Sequence, residues 1–137
     1  TNPEKLFKSY RSLSTAIKTG LVKTAHDCSE GGIGVTLAEM CIGGRIGATI
    51  DLDGTGDCPL WARLWGESLG RIVVAVSPEH EEKFLESMSG STTTYLGVVE
   101  DSDTLAIVDG FESLINVQVS DMVQSWQGTL DMSGGEL

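Results

Sequence analysis

Cysteine is scarce in this chain: Cys28, Cys41 and Cys58 are the only three in 137 residues. Their number is odd, and no C-x-x-C pair or zinc-finger-like cysteine–histidine spacing occurs. That argues against a disulfide framework and a structural zinc site. It leaves three reduced thiols, as expected in a cytoplasmic protein. Basic residues are also few, 9 Lys and Arg against 20 Asp and Glu, for a net charge of −11. A surface this acidic repels nucleic-acid phosphates and anionic membranes, so neither is expected as a partner. No apolar run approaches the roughly 20 residues of a membrane span. The opening TNPEKLFKSY lacks the apolar core of a signal peptide. The chain begins at Thr1 rather than methionine, which reads as a fragment of a longer protein.

What is present is a soluble globular composition, 40% hydrophobic and 21% charged. A chain of this length buries about two thirds of its unfolded surface and needs no covalent staple. With no repeat and no linker in view, residues 1–137 are expected to form one domain, with 132–137 a flexible tail. The charge is unevenly spread. Residues 1–25 carry Lys5, Lys8, Arg11, Lys18 and Lys23 against Glu4, so the acidity lies in the remainder.

Hydrophobic spacing predicts a helix over 3–19, with Asn2 as N-cap, Pro3 in the first turn, and Leu6, Tyr10, Leu13 and Ile17 at helical spacing. A strand follows at 21–26. A helix apolar on most sides covers 31–42, ended by Gly43 and Gly44. Residues 46–52 alternate, with Ile46, Ala48, Ile50 and Leu52 on one face. A turn and a short helix from Pro59 precede RIVVAV, 71–76, whose β-branched run suits a central strand. Ser77 and Pro78 open a helix to residue 88, with Phe84, Leu85 and Met88 inward. Strands are expected at 92–100, 104–110 and 114–120. A last helix opens at Ser120 and Asp121, with Met122, Val123, Trp126 and Leu130 at helical spacing. The second half breaks any βαβ alternation, which favours an α+β fold: a mixed β-sheet layered with helices.

Two stretches carry the residues of chemical interest. In AHDCSEGG, residues 25–32, His26, Asp27, Ser29 and Glu30 lie between a strand end and a helix N-terminus. Gly31 and Gly32 follow at once. Backbone N–H groups at such a terminus form an anion site suited to phosphate. Asp27 and Glu30 are candidates to hold Mg²⁺ or orient a base. The plainer alternative is that Ser29 or Asp27 caps the helix and the glycines only make the turn. A Cys28 nucleophile would need His26 as its base. His80, far along the chain, reads as a surface helix residue. The second stretch is LWGESLGRIVVAV, residues 64–76. There Glu67, Ser68 and Arg71 sit in a glycine-flanked turn, and either Glu67 and Arg71 face the same pocket as the first motif, or Arg71 pairs with a surface acid and Gly70 only permits the turn.

Taken together, TAHDCSEGG, VTLAEM, WGESLGR, IVVAV and SPEH, in that order, resemble the C-terminal domain of the large synthetase subunit of phosphoribosylformylglycinamidine synthase. The closing SDMVQSWQGTLDM resembles that family's terminal helix, so the resemblance covers about residues 3–131. Trp65 stands where phenylalanine is usual, Glu30 where aspartate is commoner, and Cys28 at a usually aliphatic position.

The resemblance implies the fold of the aminoimidazole ribonucleotide synthetase-like group. It also implies a share in an ATP- and Mg²⁺-dependent ligase of purine biosynthesis. That enzyme converts formylglycinamide ribonucleotide and glutamine-derived ammonia to formylglycinamidine ribonucleotide. By the motif, His26, Asp27, Ser29, Gly31 and Gly32 would contact substrate or phosphate, supported by Glu30, Glu67, Ser68 and Arg71. Asp27 is the metal candidate. No residue of this chain is assigned a catalytic role, because the family's catalytic histidine and main nucleotide-binding segments lie elsewhere. The implied partners are the rest of the parent chain, a glutaminase subunit and a small bridging subunit, with a homodimer left open. Rival readings are a non-catalytic docking scaffold, or the same domain of aminoimidazole ribonucleotide synthetase, selenophosphate synthetase or thiamine-phosphate kinase.

Overall fold

A computed structural model describes residues 2–128. Among them the elements run α1 (Pro3–Lys18), β1 (Thr24–Asp27), α2 (Gly32–Gly44), β2 (Gly47–Asp51), α3 (Leu60–Trp65), β3 (Ile72–Ala75), a 3₁₀ turn (Pro78–His80), α4 (Glu81–Ser87), β4 (Gly97–Glu100), β5 (Thr104–Asp109), β6 (Glu112–Gln118) and α5 (Val119–Gly128). The expected order of helices and strands holds throughout. The chain divides into two compact units, residues 1–37 with 54–95 and residues 38–53 with 96–137.

The first unit contains both motifs. Asn2 caps α1 as its sequence suggests: its side-chain oxygen accepts from the N–H of Glu4 at 3.0 Å and of Lys5 at 3.4 Å. The helix buries Leu13 and Ala16, which cluster with Phe84 and Met88. Leu21, Val22, Ile72, Val74 and Val76 pack against that cluster. Tyr10 and Ile17, expected on the inward stripe, are 40% and 46% exposed, because the buried face centres on Leu13 and Ala16 instead. Leu85 is likewise exposed while Phe84 and Met88 are buried.

Strands β1 and β3 pair antiparallel, from Thr24 opposite Ala75 to Asp27 opposite Ile72. The ladder continues beyond both ends, with Lys23 N–H to Ala75 O and Cys28 N–H to Arg71 O, each 2.9 Å. β3 therefore has β1 as its one strand neighbour among the described residues and is not a central strand. Its Val and Ile side chains supply the helix-facing core rather than the middle of a wide sheet. β1 itself starts at Thr24, three residues later than expected, and includes Asp27.

The helix expected at 78–88 is a 3₁₀ turn followed by α4. Ser77 stands at the N-cap position with no side-chain capping bond.

The second unit is a four-stranded mixed sheet in the order β4–β2–β5–β6. β2 runs parallel to β5, and the other pairs are antiparallel. A register shift falls at Ile107/Val108. The alternation read in 46–52 is realised: Ala48, Ile50 and Leu52 are buried, as are Leu105 and Ile107 on β5. Strand β4 is shorter than expected, since residues 92–96 lie outside it, and β6 starts two residues earlier, at Glu112. α5 starts at Val119 and buries Val119 and Val123, leaving Trp126 exposed. Leu130 and the tail 132–137 lie outside the described residues. The α+β class with a mixed sheet stands.

Candidate functional site

The site starts where β1 ends. Asp27 is the last strand residue, its backbone still paired opposite Ile72. The chain then bends through Cys28, Ser29 and Glu30, and two glycines turn it into α2. Gly31 and Gly32 have φ of +75° and +63°, the left-handed region that costs a side-chain-bearing residue strain. At Gly32 space adds to conformation: a Cβ would lie 2.6 Å from the Trp65 carbonyl carbon and 2.9 Å from Leu64 O. This is why the two glycines stand together here.

Asp27 and Ser29 form the local hydrogen bond, Ser29 Oγ donating to Asp27 Oδ2. His26 Nδ1 lies 2.8 Å from the Asp27 carbonyl oxygen and 3.7 Å from its Oδ1. A carbonyl only accepts, so the proton in that contact sits on Nδ1. The Ser29 hydroxyl, then Asp27's own backbone amide, hold the Asp27 carboxyl below the usual carboxylate range. Nearby His26 adds to this, and desolvation opposes it. The carboxylate is thus an ionised, solvent-facing group, suited to accepting hydrogen bonds rather than to holding a proton.

The second motif reaches the first through Glu67. Glu67 Oε1 accepts the Gly31 N–H at 2.9 Å. Ser68 is exposed in the same loop, and it is Glu67, not Ser68, that reaches the turn. Among the described residues Arg71 pairs with no surface acid. Its guanidinium donates to Gly66 O at 3.0 Å and Arg63 O at 2.8 Å, closing the carbonyl end of α3. Its backbone carbonyl receives Cys28 N–H. Glu30 is exposed beside the turn.

Thr36 escaped the sequence reading. It is 1% exposed, and its hydroxyl lies 3.1 Å from Asp27 O and 2.9 Å from Gly32 O, tying the strand end to the first turn of α2. The available signal was one hydroxyl in a helix whose only other polar side chain is Glu39.

Cys28 is buried, in keeping with a structural thiol, and burial pushes the Cys41 thiol up; Cys58 is exposed. His80 is not a simple surface residue: its Nδ1 is buried without a hydrogen-bond partner among the described residues. No group of three or more His, Cys, Asp and Glu suited to a metal ion occurs among the described residues. No described helix is long and apolar enough to cross a membrane.

An α+β domain with a glycine turn between a strand end and a helix N-terminus defines the class. The chain belongs to the AIR synthase related proteins, as their C-terminal domain, whose family model matches residues 2–110. Among curated proteins it is similar to the phosphoribosylformylglycinamidine synthase subunit PurL of Synechocystis sp., 42% identical over 115 residues. That match covers 81% of this chain and 15% of the relative. The PurL of Thermosynechococcus vestitus is 38% identical over 120 residues, 83% of this chain and 16% of that protein. The chain thus spans about a sixth of the length of the curated relatives it matches. Among solved structures, Thermotoga maritima PurL complexed with FGAR superposes with a TM-score of 0.78 at 22% identity, over 90% of this chain and 21% of that one. The same protein complexed with ATP gives 0.74 at 22% identity, over 85% and 21%. At that identity the structures speak for the fold.

Proposed function

We propose that this chain is the closing domain of a phosphoribosylformylglycinamidine synthase large subunit. In this reading it serves the ATP-dependent conversion of formylglycinamide ribonucleotide and ammonia to formylglycinamidine ribonucleotide. The observation that carries the proposal is the 42% identity over 115 residues to a curated PurL. That match spans most of a chain whose two motifs meet along the β1–β3 ladder and at the side-chain hydrogen bond from Gly31 to Glu67. Residues 1–137 act in this reading as one synthetase-type domain of a longer chain. Solved T. maritima PurL structures complexed with FGAR and with ATP support a phosphate-bearing ligand for this class of domain.

The chain's own part is to bind and orient. The N-terminal end of α2 presents backbone N–H groups, and the helix dipole favours an anion there. Asp27, ionised and fixed by Ser29, sets the bend before the glycines, with His26 beside it. Glu67 holds the turn, Arg71 supports the Glu67 loop, and Glu30 and Ser68 border it. The nucleotide supplies the phosphoryl group that activates the amide oxygen. Mg²⁺ travels with that nucleotide and is held by parts of the parent outside this chain. The partners of this reading are a glutaminase subunit that delivers ammonia and a small bridging subunit, in the cytoplasm.

The test is ADP release by the full-length parent chain. Release that requires both ammonia and formylglycinamide ribonucleotide is expected. ADP release indifferent to that ribonucleotide would move the chain to another branch of the family.

A further inference from the structure

The structure assigns Glu67 as the positioning residue of the glycine turn: its carboxylate, not a ligand, takes the first amide of that turn and so fixes how the remaining α2 amides are presented. This deepens the phosphate-facing reading above and rests on it for its functional consequence.

The two partners are 36 residues apart in sequence, yet Gly31 N–H and Glu67 Oε1 stand at 2.9 Å. Each side of the contact is built for the other. Gly31 and Gly32 both hold left-handed φ, a conformation with several alternatives open to glycine and so needing an external restraint. The restraint comes from residues 64–67. The Leu64–Trp65 backbone occupies the space where a Gly32 Cβ would point, and the Trp65 ring lies where a Gly34 Cβ would come within 2.5 Å. Glu67 then takes the Gly31 N–H. The Glu67 loop is itself held at both ends: Arg71 donates to Gly66 O and Arg63 O, while Arg71 O receives Cys28 N–H. Strand end, glycine turn and the 64–71 loop thus close a ring of contacts, in which the Glu67 carboxylate joins the loop to the turn.

The bond is exposed, so solvent screens it and its share of overall stability is small. Its effect is on geometry. An amide N–H already given to a carboxylate is unavailable to an incoming phosphate, and Gly32 N–H already faces Ser29 O at 3.5 Å, so ligand recognition falls to the amides from Ile33 on. Their direction depends on the turn that Glu67 holds. A displacement of about 1 Å at such a position is enough to lose much of the binding advantage of an oriented site.

The experiment compares Glu67→Ala, Glu67→Asp and Glu67→Gln in the full-length parent. It reads amide hydrogen exchange at Gly31, the dissociation constant for formylglycinamide ribonucleotide, and the thermal midpoint. Glutamine keeps an oxygen of the same reach, whereas aspartate is one methylene short. In Glu67→Ala and Glu67→Asp, Gly31 exchange should rise roughly tenfold or more. Binding should weaken by about the same factor, with the thermal midpoint nearly unmoved. Glu67→Gln should recover most of both losses.

Unchanged Gly31 exchange in Glu67→Ala overturns the assignment, as does a glutamine variant no better than alanine. Tighter binding in Glu67→Ala and Glu67→Gln also overturns it, since Glu67 would then be blocking the site rather than shaping it. If Gly31 exchange responds as expected but the wild-type parent does not bind the ribonucleotide, Glu67 stands as the turn's positioning residue. The phosphate-facing reading alone then falls.

Discussion

Thr36 ties the helix to the strand it follows: its hydroxyl lies 3.1 Å from the carbonyl oxygen of Asp27, nine residues earlier, and shares that contact with Gly32 O at 2.9 Å. Because Thr36 is 1% exposed, water cannot replace a lost bond. Thr36→Val, which keeps the shape and removes the hydroxyl, should destabilise the fold by about 1–3 kcal/mol. Thr36→Ser should cost less. Urea unfolding midpoints check both, and equal midpoints for wild type and valine would refute the role.

Gly32 is constrained twice, by its φ of +63° and by the Trp65 backbone 2.6 Å from where a Cβ would stand. Gly32→Ala should therefore lose at least about 2 kcal/mol. Alanine at Gly43, with ordinary φ and nothing near its Cβ position, should be neutral or mildly stabilising. A Gly32→Ala protein as stable as wild type would mean that the turn adapts freely.

Asp27 gives a pH prediction with a defined sign. Its carboxyl is held below the ordinary value, first by Ser29. The folded state thus binds this proton less readily than the unfolded state. Its contribution to stability is fully present above the ordinary carboxylate pKa and is lost as pH falls through the lowered one. Ser29→Ala should raise the Asp27 midpoint in a carboxyl NMR titration. An unmoved midpoint would remove Ser29 as the cause.

The three thiols should separate by exposure. Cys58 is exposed, whereas Cys28 and Cys41 are each 5% exposed and burial holds Cys41 in its thiol form. Maleimide labelling followed by peptide mass mapping should modify Cys58 first, with Cys28 and Cys41 labelled only on unfolding. Rapid labelling of Cys41 in the native state would contradict its place in the core.

Local chemistry made much of this legible. The Asn2–Pro3 start of α1, the alternation of β2 and the order of every element follow from caps and periodicity within short windows. So does the α+β class, because three strands in succession leave no room for βαβ units. What failed was what short windows do not contain. The β-branched run of β3 signals burial but does not count strand neighbours, so a strand with one partner looked central. Tyr10 and Ile17 share helical spacing with Leu13, yet which arc of α1 is covered depends on Phe84 and Met88, far along the chain. Ser77 sits where a cap belongs, but the turn it opens is 3₁₀. At the site, the two motifs and their residue types were visible. The bond from Gly31 to Glu67, the Arg71 contacts to carbonyls and the reach of Thr36 across the strand end were not. They are set by tertiary placement.

The most direct test of the account is the effect of Asp27→Asn on the full-length parent enzyme, measured as ADP release dependent on ammonia and formylglycinamide ribonucleotide. The substitution keeps the size of the side chain and removes the charge that Ser29 fixes. If this turn serves the working site, kcat/KM should fall by about tenfold or more with the fold intact. Unchanged kinetics would reduce the glycine turn to a structural join between β1 and α2.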